Sequence, residues 1–301
     1  MQHEPEQLFD LLQAAPEGAP LLHHLEGFID AGGAGRLLAE HLLQDYEHET
    51  VATFDADRLI DYRSRRPLMT YENGQWTGYD APELALHLIR DVNERPFLLL
   101  SGPEPDHEWE LFAAAVQILA DRLKAGPAVS FLGIPAGVPH TRPLGVIAHG
   151  TRDGLVAGTQ RLPDRIQLPG SAAALLELRL GEAGKDALGF AVQVPHYLAQ
   201  TAYPAAALTL LGSVTEFTGL DLPAVDLRIA SERTDEAIQR QVSESAEIAE
   251  LVRALEEQYD TAAEQQGLLA EGEQMPTADE LAAQFERFLA DQQDRSDPPE
   301  L

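Results

Sequence analysis

Apolar positions along the first 220 residues form short runs separated by polar turns, and their spacing alternates between two periods. Strand-like runs fall at 20–26, 49–54, 67–72, 84–90, 97–101, 128–134, 144–149 and 187–194. Helical spacing fills 34–46, 107–124, 171–180 and 203–218. One stretch reads with particular clarity: Phe97–Leu100, a polar turn, the helical segment Trp109–Lys124, then Val129–Leu132. Strand, turn, helix, strand is a βαβ unit, whose parallel strands bring their exit loops to the same edge of the sheet. The alternation predicts a three-layer α/β/α domain with a mixed, mainly parallel sheet. The runs at 20–26, 97–101 and 128–134 are expected in its interior. The loops at 27–33, 102–106 and 135–143 then gather along one edge, where ligands of such sheets usually bind. Asn73-Gly74, flanked by Met69–Tyr71 and Trp76–Tyr79, predicts a hairpin added antiparallel to that sheet.

The texture changes after Pro223. Ile238, Val242, Ile248, Val252, Leu255 and Tyr259 mark one face of a long helix, with acids and glutamines elsewhere. Thr277-Ala278-Asp279-Glu280 is a capping-box pattern, and Leu281, Phe285, Phe288 and Leu289 continue an apolar face behind it. The domain reading is a core over 1–230, a helical hairpin over 231–290 and a disordered acidic tail over 291–301.

Charge narrows the partners. The formal net charge is −29, which argues against a nucleic-acid surface and against anionic membrane. Residues 231–301 hold 19 acids against 5 bases, and the first 230 hold 31 against 16, so the acid excess is concentrated at the C-terminal end. No cysteine is present, which removes disulfides, thiolate nucleophiles and cysteine metal ligands. No apolar run approaches the roughly 18 residues of a membrane span, and the N-terminal residues have no signal-peptide core. A cytoplasmic protein is the expectation. Only two lysines occur, Lys124 and Lys185; neither sits in a phosphate-binding motif, which lowers the case for an ATP-dependent ligase.

Three loops carry candidate chemistry. The turn around Gly27, Asp30, Gly32 and Gly33, between the first strand and first long helix, has the place and glycine content of a phosphate cradle. It lacks both the P-loop and the dinucleotide spacing, and Glu26 and Asp30 would repel an anion. The other reading is that Asp30 caps the helix while the glycines allow close packing. Glu104 and Asp106 form a carboxylate pair suited to metal binding or acid–base work; alternatively, Asp106 caps the following helix. His140, Thr141 and Arg142 stand between Pro139 and Pro143. There Arg142 has the chemistry to clamp an anion and His140 to move a proton. An ion pair tying Arg142 to a nearby acid explains the same residues equally well. His149 and His196 also end strand-like runs and are expected along that edge. No helical zinc spacing occurs among the histidines, and no metal or cofactor is implied. Ser101 and Ser130 have no neighbouring base in sequence. Arg63, Arg65 and Arg66 read as a surface loop paired internally.

Four stretches together resemble the proteasome-assembly-chaperone family, in its actinobacterial branch of uncharacterised proteins sometimes labelled ATP-grasp-like. They are Glu26–Gly33, Phe97–Trp109, Gly133–Gly150 with its Val-Pro-His-Thr-Arg-Pro phrase, and Val194–Ala199 with Tyr203–Ala206. The resemblance implies a domain similar to purine nucleoside phosphorylases, self-association as a homo-oligomer (a trimer by that likeness), and a non-catalytic role with a protein partner. It supplies no catalytic residues. Archaeal relatives that dock on proteasomes end in a hydrophobic–Tyr–any-residue tail, whereas this chain ends Asp297-Pro298-Pro299-Glu300-Leu301. The expectation is a cytoplasmic binding or assembly-chaperone-like protein. The alternative is an enzyme acting on a nucleoside-like or small anionic substrate at the edge formed by the 27–35, 102–106 and 135–143 loops.

Overall fold

A computed structural model describes residues 4–156, 159–160 and 165–270. The sheet has eight strands: β1 Phe9–Leu11, β2 Leu21–Glu26, β3 His48–Phe54, β6 Ala85–Arg90, β7 Pro96–Pro103, β8 Ala128–Ala136, β9 Val146–Gly150 and β10 Ala187–Pro195. Their spatial order is β1-β3-β6-β7-β2-β8-β10-β9. The central four, β7, β2, β8 and β10, run parallel, and antiparallel strands flank them on both sides. The interior strands expected from sequence thus lie side by side. Their apolar content explains the position, because strands covered on both faces carry near-continuous apolar runs. β7 holds Phe97, Leu98, Leu99 and Leu100, all buried.

Helices cover the two faces. On one, α1 (Ala34–Asp45) and α5 (Pro204–Thr218) pack on Leu22, Val129, Phe131, Phe190 and Val192. On the other, α3 (Trp109–Leu123) and α4 (Ala172–Glu182) pack on Leu21, Leu98, Leu100, Ala128 and Ala187. Alternate residues of each strand therefore serve separate cores, as the two-residue strand period requires. A one-turn helix, α2 (Ala56–Leu59), is capped by Asp55.

Several expectations are corrected. The hairpin at Asn73-Gly74 forms as β4 (Met69–Glu72) and β5 (Gln75–Tyr79), but as a separate two-stranded sheet. β1, which is too short to register as an apolar run, pairs with β3 at the edge a hairpin would have joined. The single long helix over 238–259 is two: α6 (Val225–Glu244) and α7 (Ala246–Ala270). Ser245 breaks it with an extended backbone (φ −129°, ψ 112°), while its hydroxyl accepts the Ile248 amide as a cap for α7. α6 begins at Val225 and buries Leu227 and Ile238 in the core under α5. The second helix expected over 277–290 and the tail over 291–301 lie outside the described residues.

Candidate functional site

The turn after β2 is organised by one carboxylate. Asp30 accepts the amides of Gly35 (2.8 Å) and Arg36 (2.9 Å) at the start of α1, and the Gly133 amide of β8 (2.9 Å). Nearby, the Gly32 amide donates to the Ala199 carbonyl and the Gly33 amide to the Asp30 carbonyl. The N–H groups that a phosphate cradle would offer are therefore spent inside the protein. Gly32 has φ +69°, which favours glycine, and a Cβ there would sit tightly against Tyr203 at 3.0 Å. This is the capping reading of Asp30, with an added tie to the neighbouring strand.

Glu104 and Asp106 do not form a shared pair. Glu104 is buried and accepts the Ala172 amide at the start of α4 (2.6 Å). Its carboxylate fills the space beside Gly27, where a Cβ would fall 2.1 Å from Oε2. Asp106 is corrected as a cap: the residue before α3 is Glu108, in a left-handed conformation with no side-chain capping bond. Asp106 instead accepts the Asp61 amide (2.7 Å) and pairs with Arg65 (2.6 Å), whose guanidinium also donates to the Glu104 and Glu26 carbonyls. Arg65 thus draws the 61–66 loop over the ends of β2 and β7.

The 137–143 loop is clasped by the C-terminal helices. Arg142 forms a bidentate pair with Asp260 (2.8 Å for each bond) and a further bond to Glu256 (3.2 Å), both on α7. The Asp260 hydrogen bond, then the charges of Asp260 and Glu256, hold the guanidinium above its already high pKa against the opposing effect of burial. The Thr141 hydroxyl donates to Glu256 (2.5 Å), and the Tyr259 hydroxyl to the Pro143 carbonyl (3.0 Å). The His140 amide donates to the Tyr197 hydroxyl, which lies 2.7 Å from His140 Nδ1; Gln239 of α6 reaches Nε2 at 3.2 Å. Burial lowers the His140 pKa, partly offset by Asp235 and Glu256. Gly32 and His140 are linked through one segment, 196–203, which contacts both. Glu104 and Asp106 serve α4 and the 61–66 loop instead.

Sequence spacing gave no sign of a further arrangement on the α4 face. Cross-strand pairing puts His23 of β2 beside Ser130 of β8, Ser130 beside Gly189 of β10, and Gly189 beside His149 of β9. Partners in adjacent strands face the same side, so the three polar residues form a lateral row with a glycine gap. His149 therefore sits on this inner row; His196, on the 196–203 segment, is exposed. The row lines a cleft of about 480 Å³ beneath the start of α4. His149 Nδ1 bonds Glu177 of α4 (2.9 Å). Burial disfavours its protonation, but the hydrogen bond and charge of Glu177 outweigh this and hold its pKa above the usual histidine value. His23 is buried, and desolvation, with smaller contributions from His24 and His149, lowers its pKa to about 4. Among the described residues, no three potential metal ligands converge here or elsewhere.

Comparison with known proteins places this architecture. A family description, "PAC2 family", matches residues 24–242. A Mycobacterium tuberculosis protein of unknown function is 45% identical, with 87% of this chain and 93% of that one covered and a TM-score of 0.81. A Corynebacterium glutamicum protein of unknown function is 38% identical, with 86% and 99% covered and a TM-score of 0.82. A Mycobacterium tuberculosis proteasome-assembly chaperone homologue is 26% identical, with 77% and 99% covered and a TM-score of 0.71. A comparison with curated proteins finds no match. The matched span runs from the end of β2 into α6 and takes in all three loops and all of the cleft lining but His23: the chain belongs to the PAC2 family.

Proposed function

We propose that this chain is a non-catalytic, self-associating cytoplasmic protein that assists the assembly of a protein partner, as the name of its proteasome-assembly chaperone homologue suggests. The observation that carries this reading is the β4–β5 hairpin with the residue leading into it. Leu68, Met69, Tyr71, Trp76 and Tyr79 are 76%, 51%, 60%, 65% and 53% exposed. Large apolar side chains clustered on a small detached sheet are an unfavourable surface in water and a favourable one under another protein. The sheet-edge loops support the same reading, since Asp30, Glu104, Asp106 and Arg142 are all bound to the chain itself. An enzyme binding a small anion at Arg142 would first have to displace Asp260 and Glu256.

Light scattering coupled to size-exclusion chromatography, on wild type and on Tyr71→Ser/Trp76→Ser, tests self-association. Wild type should run as an oligomer, trimeric by the family likeness, and the double variant should run smaller. Mixing the chain with purified α- and β-type proteasome subunits, and following particle formation on native gels, tests the assembly role. A monomeric wild type that leaves particle formation unchanged would overturn the proposal.

A further inference from the structure

We propose that the cleft beneath α4 binds an uncharged, mainly apolar small molecule with an amide-type head, read by Ser130, His149 and His23. This goes beyond the assembly reading and does not depend on it.

The floor brings two polar side chains together over a glycine. A Cβ on Gly189 would lie 2.3 Å from His149 Cε1 and 2.5 Å from Ser130 Oγ, so any side chain there would displace both from the floor. His23, only 1% exposed, borders the same floor, with its Nδ1 shut away from the cleft.

The walls and the charges select the class. Leu25, Leu132 and Ile147 line the interior, while Phe28, Ile29 and Leu168 stand 50%, 41% and 63% exposed at the mouth. Apolar walls with a few convergent polar groups, at this volume, are the usual form of a small-molecule site. The charges nearest the floor are closed on partners: Glu177 on His149, and Glu104 on the Ala172 amide. An ionic head would lose its hydration without gaining a free counter-charge. With Nδ1 on Glu177, His149 Nε2 donates when the ring is protonated and accepts when it is neutral. Ser130, whose hydroxyl donates to the Leu188 carbonyl, keeps lone pairs to accept, and neutral His23 can do either. A carbonyl with an adjacent N–H suits all three.

The order Ser130–His149–Glu177 also resembles a nucleophile, base and orienting acid. The Ser130 hydroxyl, however, donates to the Leu188 carbonyl (3.4 Å), and no Ser130–His149 hydrogen bond is present among the described residues. The geometry supports binding and not acyl transfer.

Saturation-transfer NMR and titration on the full chain, with naphthalene-1-carboxamide and naphthalene-1-carboxylate as probes, test the site. The amide should bind saturably, about tenfold tighter than the carboxylate at neutral pH. Ser130→Ala should weaken the amide by about fivefold, the value of one ordinary hydrogen bond. Gly189→Ala should abolish binding; if that variant fails to fold, Ser130→Ala decides. The proposal is overturned by a carboxylate that binds as tightly as the amide, by no saturation near about 1 mM, or by Ser130→Ala binding like wild type. Labelling of Ser130 by a fluorophosphonate would also overturn it, in favour of acyl transfer.

Discussion

His140 and His149 are both half-buried histidines with a hydroxyl and carboxylates close by, one on each side of the sheet. They end in opposite protonation regimes. Around His140 the hydroxyl of Tyr197 and the amide of Gln239 take both ring nitrogens, and Asp235 and Glu256 act only through their charge. Burial prevails and the pKa falls. Around His149 the carboxylate of Glu177 touches the ring directly, and the pKa rises although burial opposes it. A carboxylate in hydrogen-bond contact outweighs desolvation where nearby carboxylates do not. The surroundings match this contrast. The His140 side is a closed clasp in which polar groups satisfy one another, whereas the His149 side keeps an unpartnered His23 nitrogen buried beneath an apolar cleft.

The change expected to act most strongly on both sides is Asp30→Ala, because Asp30 joins α1 to β8 between them. Losing one charged acceptor for three backbone amides should cost about 3 kcal/mol in urea denaturation. A loss below about 1 kcal/mol would mean that the turn relaxes without it.

The cleft side should reveal itself in acid. His23 has a folded pKa lowered to about 4 from 6.5, so between these values the unfolded chain binds the extra proton. Its contribution is present above the unfolded value and is lost as pH falls from 6.5 towards about 4, by at most about 3 kcal/mol. His87, lowered to about 4 mainly by burial, works in the same direction. His23→Gln should flatten the wild-type loss over that window; an unchanged profile would remove His23 from the account. His149 carries the opposite sign: its raised pKa contributes stability at low pH that fades as pH rises through the folded value.

The clasp side is expected to be weaker. Among the described residues of α7, Val252 and Leu255 are the buried apolar ones, and neither belongs to the two main cores. Leu255→Ala should cost about 2 kcal/mol, with the far-ultraviolet spectrum of the sheet and remaining helices kept. Removing residues 246–301 should likewise leave a folded α/β domain, since α6 stays on α5; an unfolded truncation would make α7 part of the core. The smallest effect belongs to Arg142→Ala. It should speed hydrogen exchange in α7 while leaving the sheet amides unchanged, and added salt should mimic it in wild type.

Much of the fold was readable because its signals are local. Alternation at two residues and recurrence near 3.6 are properties of a segment by itself, so β2, β7, β8 and α3 stand within a few residues of where the pattern put them. The resemblance carried by the Val-Pro-His-Thr-Arg-Pro phrase pointed to the family. β1 was missed because three residues carry no period, and the break at Ser245 because a serine in a polar helix face looks like any other polar residue.

The sites divide the same way. The residues of the 137–143 loop and their chemical types are written in the chain, as is an acid excess large enough to supply Arg142 with a partner. Which acids clasp it depends on where α7 folds back, more than a hundred residues later. Ser130 looked isolated for the same reason. Its neighbours His23, Gly189 and His149 are set by strand order and by register to the single residue, and a shift of one residue would turn each of them to the other face. The sequence alone determined most of the elements and pointed to the family; tertiary pairing decided which polar residues meet, because those contacts join positions far apart in the chain that no local period relates.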